Sequence, residues 1–229
     1  MKEINISPSD LSYFWSDSKV GFYDKYVLEI LRPRQTFPSV FNKIDLCMKD
    51  AFEKVKFAEI VKDAPEGYIC HDEMNVRSKP VKLGDFKVTF KGKIDSLLVH
   101  EDQTHSVVDY KTTIFSEKLK DIYFLQLAAY AFCLENPAEG EPKTIRSLGL
   151  LVYSPQKFQF KQNKTGDQGA LIGELKWLEV PFDKEKFKKF MSTDLKKILN
   201  SDRENILLNP SYLDLSWQKY INCFYLEEE

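Results

Sequence analysis

The chain has 229 residues, enough for one sizeable core with appended pieces. Its 33 basic and 35 acidic residues nearly cancel to a formal charge of −2, so composition alone gives no argument for nucleic acid and any such site must be a local patch. No run of about 18 apolar residues suggests a membrane span, and MKEINISPSD lacks the apolar segment of a signal peptide, so a cytoplasmic protein is expected. Helix is expected in two pieces over residues 7–31, where Pro8 suits a first turn and Leu11, Phe14 and Trp15 share a face. Residues 39–62 read as an amphipathic helix with a stripe of Val40, Ile44, Cys47, Met48, Ala51, Phe52 and Val55, and with Asp45 at its edge.

A β region follows. Strands are expected at 67–70, 86–90, 92–99 and 106–111, the last two joined by the polar turn HEDQT as an antiparallel hairpin. Residues 117–135 form a second strong helix, 146–153 an apolar strand, 175–181 a further strand, and 183–200 a basic-faced helix. The polar, Gly-containing stretch 162–169 reads as a mobile surface loop. Aromatics in the tail (Tyr212, Trp217, Tyr220, Phe224, Tyr225) suggest that it packs on the body. The four cysteines, Cys47, Cys70, Cys133 and Cys223, lack C-x-x-C spacing and read as reduced, mostly buried thiols.

Two acidic residues interrupt apolar strands. Asp95 lies between Ile94 and Leu97, and Asp109 follows Val107 and Val108. Charged residues are seldom buried without a partner or a metal. Asp109 and Lys111 are two apart, so on a strand they project from one face. A carboxylate beside an ammonium gives a metal ligand next to a cation, which suits phosphodiester chemistry: a divalent ion polarises a phosphate oxygen and the lysine steadies the developing charge. Two carboxylates with water suit Mg²⁺ or Mn²⁺. D-x-K alone is common, however, and taken singly it reads as a surface ion pair worth little.

The wider set is more specific. Gly92-Lys93-Ile94-Asp95 is followed by Val107-Val108-Asp109-Tyr110-Lys111-Thr112, then by Gln126-Leu127-Ala128-Ala129-Tyr130. Asp109 follows Asp95 by 14 residues, and Gln126 follows Lys111 by 15. These motifs, in this order, resemble the RecB-like branch of the PD-(D/E)XK nucleases, and Ser7-Pro8-Ser9-Asp10-Leu11 and Phe22-Tyr23 resemble its opening segment. The resemblance covers most of residues 7–153. It implies an α/β, restriction-endonuclease-like core with a central mixed β-sheet flanked by helices, as a single nuclease domain over 1–229 with a helical N-terminal segment and a packed tail. It also implies metal ligation by Asp95, Asp109 and the Tyr110 carbonyl, with Lys111, Gln126 and Tyr130 in the catalytic set.

Many members carry a further ligand on the preceding helix. Asp45 is the matching position, with Glu53 and His71 as alternatives and an ordinary solvated aspartate as the competing reading. Relatives with an iron–sulfur cluster use four cysteines; Ser16-Asp17-Ser18 supplies none and only Cys223 stands near the C-terminal position, so no cluster is expected. The implied activity is Mg²⁺- or Mn²⁺-dependent hydrolysis of DNA, by exonuclease or endonuclease action, in a repair, recombination, phage or defence setting. The competing functional reading is an inactive nucleic-acid-binding or scaffold protein on the same fold. Lys79, Lys82, Lys87, Lys91 and Lys93, then Lys118 and Lys120, then Lys184–Lys197, can track a phosphate backbone or simply be solvated. Phe115 and Tyr123 are candidates for base stacking.

Overall fold

A computed structural model describes residues 1–12, 14–30, 39–70, 74–163 and 166–209; His71, Cys223 and the aromatic tail from Tyr212 onward lie outside the described residues. The elements in order are β1 (Lys2–Ile6), a 3₁₀ turn (Pro8–Leu11), α1 (Phe14–Asp17), α2 (Lys19–Tyr26), α3 (Ser39–Phe52), α4 (Phe57–Ile60), β2 (Tyr68–Cys70), β3 (Met74–Arg77), β4 (Val81–Leu83) and β5 (Phe86–Ile94). They continue with β6 (Ser96–Val99), β7 (His105–Thr112), α5 (Leu119–Glu135), β8 (Ile145–Asn163), β9 (Gly166–Val180), α6 (Lys184–Phe190), a π turn (Met191–Leu195), α7 (Lys196–Leu199) and α8 (Arg203–Leu207).

Five strands form a sheet in the order β2-β6-β7-β8-β9, with β7 and β8 parallel and the other pairs antiparallel. The β7–β8 crossover is α5, because parallel neighbours cannot be joined by a tight turn. A second sheet places β5 beside β1, β3 and β4, with β1 and β5 parallel. The expected α/β core, mixed sheets flanked by helices, is present, as is the β6–β7 hairpin. β1, β3 and β4 are additions to the expected elements.

The five-stranded sheet is covered on both faces. On one, α5 and the N- and C-terminal helices enclose Val107, Leu148, Leu150 and Val152; on the other, α3 and α4 cover Val108, Tyr110 and Leu151. Double coverage explains why β7 and β8 read as continuous apolar runs rather than alternating ones. The C-terminal helices are tied in by Arg203, whose Nε and Nη2 lie 2.7 and 3.0 Å from the two oxygens of Asp24, itself 1% exposed. Loss of a partner from so buried a carboxylate costs about 3–5 kcal/mol.

Four expectations change. The helix over 39–62 ends at Phe52, where Lys54 takes a positive φ of 62° and the chain turns into α4. Its apolar stripe is only partly covered: Met48 is buried and Ile44 and Phe52 pack beside it, but Val40 is 56% exposed and Cys47 is exposed, lining a 420 Å³ groove with Leu171 and Leu175. Cys47 therefore departs from the buried-thiol expectation, Cys70 is half-buried and Cys133 is buried. The described residues of the stretch 162–169 are strand, since Gln162 pairs with Asp167 and Asn163 with Gly166 in a long two-stranded ribbon; residues 164 and 165 lie outside the described residues. Its polar, glycine-bearing composition mimics a loop, but exposed strand ends tolerate the same residues when a partner strand pairs them. The helix over 183–200 is interrupted by the π turn.

Gly92 has a packing role. A Cβ there would lie 2.9 Å from Pro8 Cδ and 3.0 Å from Tyr130 Cε1, so the missing side chain lets the N-terminal turn and α5 close on β5. Gly92→Ala is expected to destabilise by roughly 1–3 kcal/mol. Urea unfolding monitored by tryptophan fluorescence would show the loss as a lowered midpoint at unchanged slope.

Candidate active site

The polar residues of β7 sit on its α5 side wherever the alternation puts them there. Val108 and Tyr110 turn toward α3, whereas Asp109 meets Gln126 and Lys111 meets Tyr123, both on α5. Asp109 is 4% exposed. Gln126 Nε2 donates to Asp109 Oδ1 at 2.8 Å, and Ser12 Oγ lies 2.8 Å from Gln126 Oε1. A donor at Oε1 fixes which end of the amide faces the carboxylate. Gln126 and Ser12 are both buried, so this chain of contacts crosses the core from the N-terminal turn to β7.

The other oxygen, Asp109 Oδ2, is buried without a well-aligned hydrogen bond. It stands in ion-pair contact with the Lys111 ammonium, which lies 4.7 Å from the centre of the Tyr123 ring. Burial pushes the Asp109 carboxyl up to about 6 against the pull of Lys111, and the charges of Asp95 and Asp45 add to the rise.

Asp95 occupies the break between β5 and β6. Its Oδ2 accepts from the Tyr110 backbone N–H at 3.3 Å, placing it directly beside the Asp109 peptide, and its Oδ1 accepts from Lys49 Nζ at 3.1 Å. Lys49 Nζ is also 2.7 Å from Asp45 Oδ2, one turn earlier on α3. Burial works against the Lys49 ammonium, but hydrogen bonding to Asp45 and Asp95 and the Asp95 charge outweigh it and hold the pKa above the ordinary lysine range.

Asp45, Asp95, Tyr110 and Lys111 line a common 370 Å³ cleft, together with Asn42 and Thr113. Gln126 bonds Asp109, which in turn contacts the cleft-lining Lys111, while Tyr130 is 5% exposed with its ring packed over Gly92. Tyr123 borders the same cleft but is only 1% exposed and backs Lys111, so its ring offers little face to a base; a buried ring beside the ammonium was indistinguishable, in sequence, from a surface aromatic. Phe115 is half-buried with Lys176 Nζ 5.0 Å from its ring centre. Two contributors escape motif reading. Lys49 is signalled only by its i+4 distance from Asp45, and Ser12 only by its place next to the opening Ser7–Leu11 segment.

The donor set fits a hydrated divalent ion. It offers hard carboxylate oxygens, including the buried Asp109 Oδ2, and no thiolate or imidazole among the described cleft residues. Among the described residues no three His, Cys, Asp or Glu side chains converge as a ready-made cage. Water and phosphate oxygens would have to complete the shell, as is usual for Mg²⁺.

Residues 24–211 match the family model of the PD-(D/E)XK nuclease superfamily. No curated protein matches the chain. Among solved structures, the crystal structure of SSO0001 superposes with a TM-score of 0.51 over 91% of this chain and 87% of that one, at 14% identity, a likeness of fold. The match spans most of the chain and includes every residue of the cleft: the protein belongs to the PD-(D/E)XK nuclease superfamily.

Proposed function

We propose that the chain is a single-domain, Mg²⁺- or Mn²⁺-dependent deoxyribonuclease of the RecB-like branch, acting without an iron–sulfur cluster. The carrying observation is the buried Asp109 carboxylate, held by Gln126 at one oxygen and left at the other beside Lys111 and the cleft. Asp95 and Asp109, with the Tyr110 carbonyl and Asp45, would hold the ion. That ion supplies Lewis acidity toward a phosphate oxygen and toward water. Lys111, fixed between Asp109 and Tyr123, positions the attacking water and offsets charge gathering on phosphorus. Hydrolysis delivers the water's oxygen to phosphorus and its proton to the departing sugar oxygen. Gln126 acts through Asp109 as a positioning residue, and Tyr130 sets the depth of α5 against Gly92.

Support for a polyanionic substrate comes from β3 and β5. Arg77 and Lys91 are direct cross-strand partners, and Lys91 and Lys93 alternate along β5 toward Asp95; all three are exposed. Like charges placed opposite each other are destabilising, and a phosphate backbone relieves them. Other expected basic groups are partly spent, with Lys184 paired to Glu135, Lys188 to Glu185 and Lys87 to Glu3. The second reading, a binding protein without catalysis, draws on Lys49, which already satisfies Asp45 and Asp95.

Single- or double-stranded DNA should be cut in Mg²⁺ or Mn²⁺ and left intact in EDTA. Asp109→Ala should abolish cutting and Lys111→Ala should slow it roughly 10²–10³-fold, with circular dichroism unchanged. Undiminished cutting by Asp109→Ala would reject the site, and binding without cutting in any divalent ion would favour the second reading. Gln126→Leu should weaken metal binding about 10–100-fold, read by calorimetric titration with Mn²⁺.

A further inference from the structure

Lys49 is the least expected neighbour of the cleft, bonded to two of its lining carboxylates. Its side chain is 10% exposed, yet it ends between two carboxylates from different elements, Asp45 on α3 at 2.7 Å and Asp95 at the β5–β6 break at 3.1 Å. Both oxygens of Asp95 are thereby engaged, Oδ2 by the Tyr110 N–H and Oδ1 by Lys49. Three carboxylates share this region, and the charges of Asp45 and Asp95 are felt at Asp109. Lys111 answers Asp109, and Lys49 answers the other two.

We infer that Lys49 is a resident counter-cation: its ammonium holds Asp45 and Asp95 together in the metal-free protein and competes with the divalent ion for Asp95. The inference rests on the metal-dependent reading of the same cleft. An ammonium and a divalent ion on one carboxylate oxygen at contact distance repel strongly, so metal entry displaces the Lys49 ammonium from Asp95 Oδ1 and likewise loosens Lys111 from Asp109 Oδ2, leaving it against the Tyr123 ring. The flexible four-carbon stem allows that withdrawal without moving α3. Lys49 is thus a positioning residue that lowers metal affinity while keeping the empty carboxylate pair from splaying.

The test is Mn²⁺ binding by calorimetry, together with thermal unfolding in EDTA and in Mn²⁺, for wild type, Lys49→Met and Lys49→Arg. Lys49→Met should bind Mn²⁺ roughly 10- to 100-fold more tightly than wild type, melt lower in EDTA, and recover most of that loss in Mn²⁺. Lys49→Arg keeps the charge and should bind as weakly as wild type. A merely structural lysine would lower the melting temperature equally in both conditions and leave affinity unchanged, and that outcome overturns the inference. Should Lys49→Met not fold in EDTA, Lys49→Gln provides the neutral variant, with the same affinity criterion. Mn²⁺ uptake that ignores the substitution sinks this inference alone; no uptake by any variant sinks the metal reading with it.

Discussion

One buried carboxylate organises this molecule. Asp109 sits inside a strand covered on both faces, where an unpaired charge costs several kcal/mol. It is tolerated because Gln126 donates to one oxygen and Lys111 meets the other. Each of those helpers is held in turn, Gln126 by Ser12 and Lys111 by the Tyr123 ring. The N-terminal turn, α5 and β7 are therefore fixed relative to one another by the need to satisfy a single acidic group. The incomplete satisfaction of Oδ2 is the feature that points beyond structure to chemistry.

The fold delivers the remaining groups by simple rules. A parallel β7–β8 pair demands a crossover, and the crossover helix α5 lays Tyr123 and Gln126 against the α5 face of β7. The opposite face receives α3, which brings Asp45 and Lys49 over the break at Asp95. Opposed helices thus supply opposed chemistries to the same strand end: neutral amide and aromatic support from one side, an ion pair from the other. Gly92 completes the arrangement by admitting Pro8 and Tyr130 close to β5, three residues ahead of Asp95.

Much of this was legible in the sequence, for reasons specific to certain residues. Asp109 and Lys111 could be placed on one face because strand alternation leaves no other choice. The β6–β7 hairpin was marked by the polar HEDQT turn between two apolar segments, and α5 by a long apolar stretch of good helix formers. What stayed hidden depends on tertiary contacts. β1 is too short and too polar in pattern to announce itself before it pairs with β5. The stripe on α3 resembles any core-facing helix, and only the sheet's outline leaves Val40 and Cys47 uncovered. Lys49 looks like a solvated helix lysine until α3 is docked on β7, and Tyr123 like an accessible aromatic until Lys111 covers it.

The central claim is that Asp95 and Asp109 jointly hold a divalent ion beside Lys111. Anomalous diffraction from crystals soaked in Mn²⁺ with a short oligonucleotide tests it most directly. The account predicts a strong anomalous peak within coordination distance of carboxylate oxygens of both Asp95 and Asp109. A peak absent from the cleft, or bound to other residues while the cleft holds nucleic acid, would contradict it.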